Sequence, residues 1–215
     1  SCHGWLDFFV NYPKAELLDE ALFFDIFIKN KDKKFSMETY KAIMESHSAR
    51  SFKDKEVPFE AIGRILEAGK AAPSAGNLQN WKFIVVRDSM KRNLLAEASV
   101  EQGWMAEAPL FIVICAEMQK IKKFYGKRGV EVYAVQNCAA AAQNMVIAAE
   151  ALELGSFWVS AFDISKVKRI LLIPDDVDVE PQIILGIGYP DEKPQRPLRY
   201  RLDNITFFER WSAQS

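Results

Sequence analysis

The chain has 215 residues, 49% of them hydrophobic and 27% charged, the balance of one large or two small globular domains and not of a disordered tail. Twenty-eight Lys and Arg against 29 Asp and Glu leave a net charge of −1, which argues against a dedicated nucleic-acid binder. Three cysteines, Cys2, Cys115 and Cys138, make neither a disulfide framework nor a Cys-rich metal site, and two histidines are too few for a multi-His metal centre.

Residues 1–36 stand apart. They hold six of the fifteen phenylalanines and end in Lys29-Asn-Lys-Asp-Lys-Lys34. They read as an N-terminal extension on a domain spanning 37–215, either a genuine extra helix or an expression artefact. From residue 37 the pattern alternates. A short helix is expected over 37–46, and Pro58 suits the first position of a helix that runs to about 71 with Ile62, Ile65, Leu66 and Gly69 on one face. Pro73–Asn80 is a loop by composition. Trp81–Val86 reads as a strand, 89–99 as a helix, and Leu110–Ala116 as a buried strand, because it is β-branched and too short for a helix.

The longest expected helix covers 129–154, where Val132, Val135, Ala139, Ala142, Val146, Ala149 and Leu152 step by three and four and Gly155 serves as the stop. Its alanine face suits either a central core helix or a subunit interface. Ser156–Ser160 follows as a strand, 163–172 as a helix and Glu180–Gly188 as the last strand, halted by Tyr189-Pro190. The tail ends in Phe207-Phe-Glu-Arg-Trp211, an apolar segment that needs a surface to pack on. The most apolar stretch, 109–116, falls far short of the ~20 residues of a membrane span, and a cytoplasmic setting without membrane or nucleic-acid partners is expected.

Dinucleotide, P-loop and nucleophile-elbow motifs are absent, and only His47 lies in the domain, so general acid–base chemistry from side chains is thin. Such a chain suits a cofactor that carries the chemistry. Two polar clusters fit that idea. Ser46-His-Ser-Ala-Arg-Ser-Phe52 combines hydroxyls with one cation. Ala72-Pro-Ser-Ala-Gly-Asn-Leu-Gln-Asn-Trp81 offers small hydrogen-bonding groups and a glycine that lets backbone approach a ligand. Each alone also reads as an ordinary helix end or turn.

Taken in order with Ala106-Glu-Ala-Pro109, Tyr133–Met145, Leu154–Phe162 and Leu185–Pro190, these motifs resemble the nitroreductase family of flavin-dependent enzymes over about Met37–Arg201. The resemblance implies an α+β fold with a central, mostly antiparallel sheet flanked by helices, assembled as an intertwined homodimer with a C-terminal dimer arm. It implies FMN as cofactor, NADH or NADPH as electron donor, and an electron-poor small molecule such as a nitroaromatic or quinone as acceptor, in a ping-pong cycle. By position, Ser48 and Arg50 hold the ribityl and pyrimidine side of the flavin. Pro73, Ser74 and Asn77 reach it from the other subunit, and Gln102 is a candidate for the pyrimidine edge. Ser160 and Ala161 lie beside the reactive ring, and Arg196 with Lys193 binds the phosphate. Many relatives carry an arginine where this chain has Ser46, which shifts the phosphate toward Arg196, Lys193 and His47. A flavin-storage protein, or another reaction on the same fold, is the alternative that the residues leave open.

Overall fold

The computed structural model describes residues 39–100, 103–192, 197–201, 204–207 and 211. The extension 1–36 and the candidates Gln102, Lys193 and Arg196 lie outside the described residues.

Helix α1 (Thr39–Glu45) leads through residues 46–58 to α2 (Phe59–Lys70), with Pro58 as N-cap, one position before the place the sequence suggests. A short 3-10 turn (Ala75–Asn77) precedes strand β1 (Trp81–Val86). Helix α3 (Ser89–Glu97) is capped by the Asp88 side chain, which accepts from the Lys91 N–H at 2.8 Å. A second 3-10 turn (Gly103–Glu107) leads into β2 (Leu110–Glu117). Helix α4 (Met118–Arg128), a π-helical turn (Gly129–Tyr133) and α5 (Ala134–Ala151) follow. Strand β3 (Gly155–Val159), α6 (Ile164–Ile170) and β4 (Val179–Gly188) complete the order.

The four strands form one antiparallel sheet in the order β1-β2-β4-β3. Strand β2 lies in its interior and is buried along its length up to Glu117, which explains its unbroken apolar run. Two cores flank the sheet. On one face α2 and α5 cover Leu110, Ile112, Ile114, Leu185 and Ile187. On the other, Phe111, Val113, Phe157 and Ile184 pack with Leu95, Met105 and Val167 from the α3 and α6 side. The alanine face of α5 lets α2 come close: a Cβ on Gly69 would lie 2.2 Å from Met145 Cε. Among the described residues no helix is long and apolar enough to cross a membrane.

Two expectations need correction. The expected long helix is helical from Gly129 to Ala151, its first turn π-helical and the α-helical part starting at Ala134, but Met118–Arg128 is a further helix to which the sequence reading gives no element. That helix is rich in lysine and buries only Met118 and Ile121, so its apolar stripe is too short to see. Nor does Gly155 stop the long helix. Helix α5 ends at Ala151, Glu153 takes the left-handed conformation (φ 62°), and Gly155 opens β3. Glycine is needed there for contact, since a Cβ would lie 2.8 Å from Ala49 Cβ.

Candidate functional site

Three segments meet along the β3 edge of the sheet. The chain leaving α1 forms a parallel bridge from Ser48 to Ser156, and the Ala49 N–H donates to the Ser156 carbonyl at 2.9 Å. It continues past Arg50 to an antiparallel bridge between Phe52 and Pro190, closed by Lys53 N–H to Tyr189 O (2.8 Å) and Asp191 N–H to Ser51 O (3.0 Å). The chain leaving β3 runs beside the end of α3. Val100 N–H donates to Ala161 O (3.1 Å), and Asp163 N–H donates to Ala98 O (2.9 Å). The turn Gly103–Glu107 then brings Trp104 under Arg50, whose Cζ is 5.8 Å from the indole centroid. So the fold gathers His47, Ser48, Arg50, Ser160 and Ala161 along one edge, with Ser48, Arg50, Ser160 and Ala161 exposed.

Local bonds fix what each group can still offer. His47 Nδ1 lies 3.0 Å from the Glu45 carbonyl, which can only accept, so Nδ1 carries the proton in the neutral ring. Its Nε2 is buried and has no partner among the described residues. The Ser46 hydroxyl donates to Ile43 O at 3.2 Å and closes the end of α1. The Trp158 indole N–H donates to Ser160 Oγ at 2.8 Å, which leaves the Ser160 proton to point elsewhere. The Glu192 carboxylate accepts from the Arg50 N–H (2.6 Å) and the Ser51 N–H (3.4 Å).

The loop 73–80 lies elsewhere. It enters β1, the opposite edge strand, and three strand spacings separate that strand from β3, roughly 14 Å. Within one chain, Pro73, Ser74 and Asn77 therefore do not join Arg50. The loop is tightly determined all the same. Gly76, Asn77 and Gln79 all have positive φ (58°, 54° and 47°), a costly run for the two non-glycine residues. Ser74 Oγ accepts from the Gln79 N–H (2.9 Å), and Gln79 Nε2 donates to Asn77 Oδ1 (3.0 Å). From α5, Asn137 Oδ1 accepts from the Ala75 N–H (3.0 Å), while Asn137 Nδ2 donates to Asn80 Oδ1 (2.7 Å).

Trp104, Glu192, Asn80 and Asn137 are the residues the motif reading missed. Each acts on a segment distant in sequence, so spacing carries no sign of its role, although Asn80 sits inside the loop motif and Asn137 inside the Tyr133–Met145 motif. The thiols of Cys115 and Cys138 are pushed up to about 12 by burial, so neither supplies a thiolate near neutral pH.

A model of the Nitroreductase family matches residues 43–104 and 90–189. A relative from Methanothermobacter thermautotrophicus strain Delta H, provisionally named NADH dehydrogenase/NAD(P)H nitroreductase, is 32% identical over 181 residues, covering 81% of this chain and 88% of its own. The FMN reductase (NADPH) of Bacillus subtilis strain 168 is 28% identical over 176 residues, covering 74% and 70%. A crystal structure from Parabacteroides distasonis ATCC 8503, under the same provisional name as the first relative, superposes with a TM-score of 0.70 at 28% identity and covers 80% of this chain and 99% of its own. The 73–80 loop, the four strands and the β3-edge residues up to Tyr189 lie inside the matched span, and the chain is an oxidoreductase that belongs to the nitroreductase family.

Proposed function

We propose that the chain is an FMN-dependent oxidoreductase that draws reducing equivalents from NADH or NADPH and delivers them to an electron-poor small molecule such as a nitroaromatic or a quinone. The observation that carries this reading is the β3 edge. The Ser48 hydroxyl, the Arg50 guanidinium and the free Ser160 proton lie along one accessible border of the sheet, in a chain whose relatives are named as NAD(P)H nitroreductase and FMN reductase. That donor and acceptor set fits a flavin nucleotide. Bound FMN would supply the hydride chemistry, which no side-chain pair on this edge can.

The residues then divide the work of holding it. Arg50 offers a cation and a planar edge of N–H donors to the pyrimidine side. His47, with its proton on Nδ1 and its Nε2 buried, backs this edge from inside the fold and leaves the ribityl side to Ser48. With Ser46 engaged at the helix end, the phosphate falls to Arg196 and Lys193, and the pyrimidine edge gains Gln102. Ser160 and Ala161 border the ring where electrons pass.

The active unit in this reading is a homodimer in which each loop 73–80 completes the partner's site. Three observations support it. The loop lies an entire sheet away from Arg50 in its own chain. Tyr40, Ile43 and Met44 expose an apolar face of α1, at 68%, 47% and 57%. Leu198, Tyr200 and Trp211 of the C-terminal arm are almost fully exposed. A cytoplasmic setting belongs to the same proposal, with Cys115 and Cys138 as free, buried thiols.

The test is direct. The protein is mixed with FMN, desalted, and its absorbance recorded, followed by assay of NADH and NADPH oxidation with a quinone acceptor. We expect one retained flavin per chain and turnover with at least one nicotinamide. Absence of a retained flavin band overturns the cofactor, and a loaded protein that oxidises neither nicotinamide points to storage.

A further inference from the structure

An exposed arginine ordinarily samples many rotamers, so a fork of donors at the end of such a chain is poorly aimed. Arg50 is held differently. Among the described residues its guanidinium has no carboxylate partner; it lies instead over the indole of Trp104, 5.8 Å from the ring centroid. This cation–π contact leaves the guanidinium N–H groups without a carboxylate partner among the described residues. Its backbone is fixed separately, by the Glu192 carboxylate on the Arg50 and Ser51 N–H groups.

Trp104 is itself rigidly placed. Its turn is pinned to α3 by Arg92, whose guanidinium donates to the carbonyls of Ala106 (2.9 Å) and Ala108 (2.5 Å). Beneath it the Phe157 ring sits edge-on, with centroids 4.8 Å apart. Phe157 is locked in turn by edge contacts to Phe52 (5.8 Å) and Phe111 (5.9 Å), and the far end of its ring packs on Gly186, where a Cβ would stand 2.0 Å from Phe157 Cζ. The stack Gly186–Phe157–Trp104–Arg50 thus runs from the middle of the sheet to the ligand edge.

We propose that Trp104 is the positioning residue for Arg50, holding the guanidinium over its ring so that the N–H groups meet the acceptor atoms of FMN. This rests on the reading that Arg50 contacts the cofactor.

A double-mutant cycle on the full chain tests it, with the FMN dissociation constant as readout and urea unfolding midpoints as a check on folding. Arg50→Ala should weaken FMN binding. Trp104→Leu should weaken it by roughly two- to tenfold, the span of a partly exposed cation–π contact. Trp104→Phe, which keeps a ring under the guanidinium and packs on Phe157, should recover most of that loss. In the Arg50→Ala background, Trp104→Leu should have no further effect. Additive losses in the double variant, or an unchanged constant in Trp104→Leu while Arg50→Ala weakens binding, overturn the proposal and leave Trp104 a packing residue. An unchanged constant in Arg50→Ala removes Arg50 from the cofactor site, and the proposal with it.

Discussion

A guanidinium beside a flavin does more than hold it. The reduced cofactor carries negative charge on its pyrimidine side, so a cation there favours the reduced form over the neutral oxidised one. Charge-assisted hydrogen bonds contribute about 1.5–3 kcal/mol net. For a two-electron couple, about 1.4 kcal/mol corresponds to 30 mV. Arg50→Ala is therefore expected to lower the flavin midpoint potential by about 30–65 mV and to loosen binding. Arg50→Lys should keep much of the shift in potential and lose the fork. Spectroelectrochemical titration of the loaded variants decides the matter: an unchanged potential with flavin still bound removes Arg50 from the site. The motif marks Arg50 as chemically interesting, but nothing in the motif says what aims it. Trp104 is 54 positions further along the chain, and only the turn pinned by Arg92 brings the two together.

Between elements, the buried amide pair Asn80–Asn137 ties the strained loop to α5. Asn80 is fully buried and Asn137 is 4% exposed, so neither can fall back on water. Asn137→Ala would strand the Ala75 N–H and the Asn80 carbonyl oxygen together. Orphaning the buried Asn80 side-chain oxygen costs about 1–3 kcal/mol and the half-buried Ala75 N–H adds less, so a loss of about 2–4 kcal/mol is expected in urea unfolding. Asn137→Asp keeps an acceptor for Ala75 but buries a carboxylate against the Asn80 oxygen, so it should not recover the loss. A near-neutral Asn137→Ala would show that the loop stands without α5. At this scale the strands were the most legible features: Trp81–Val86 reads directly from its apolar, β-rich run, and β2 and β4 differ from expectation by one residue at an end. Helix α4 was not legible, because two buried residues make too short a stripe to register as periodicity.

Across the whole molecule, exposed apolar surface sets the expectation. Large side chains on α1 and the C-terminal arm stand in water in a single chain, and a self-complementary dimer would cover both. We expect light scattering at micromolar concentration to give twice the chain mass. We also expect Ile43→Glu to shift the protein toward the monomer and to reduce FMN retention, because the 73–80 loop would then lack a partner's site. A monomeric wild type would contradict the shared site.

The order of elements, the buried strands and the two polar clusters are properties of local sequence. Apolar periodicity, β-branching and turn residues act within a few positions and need no partner to be read. What only the tertiary structure decided is which clusters meet. Strand order places the 73–80 loop and Arg50 on opposite edges of the sheet, the stack from Gly186 to Trp104 aims the guanidinium, and Asn137 braces the loop from another helix. Each of these depends on contacts between residues tens of positions apart, set by how the two cores pack against the sheet, and local spacing holds no record of them.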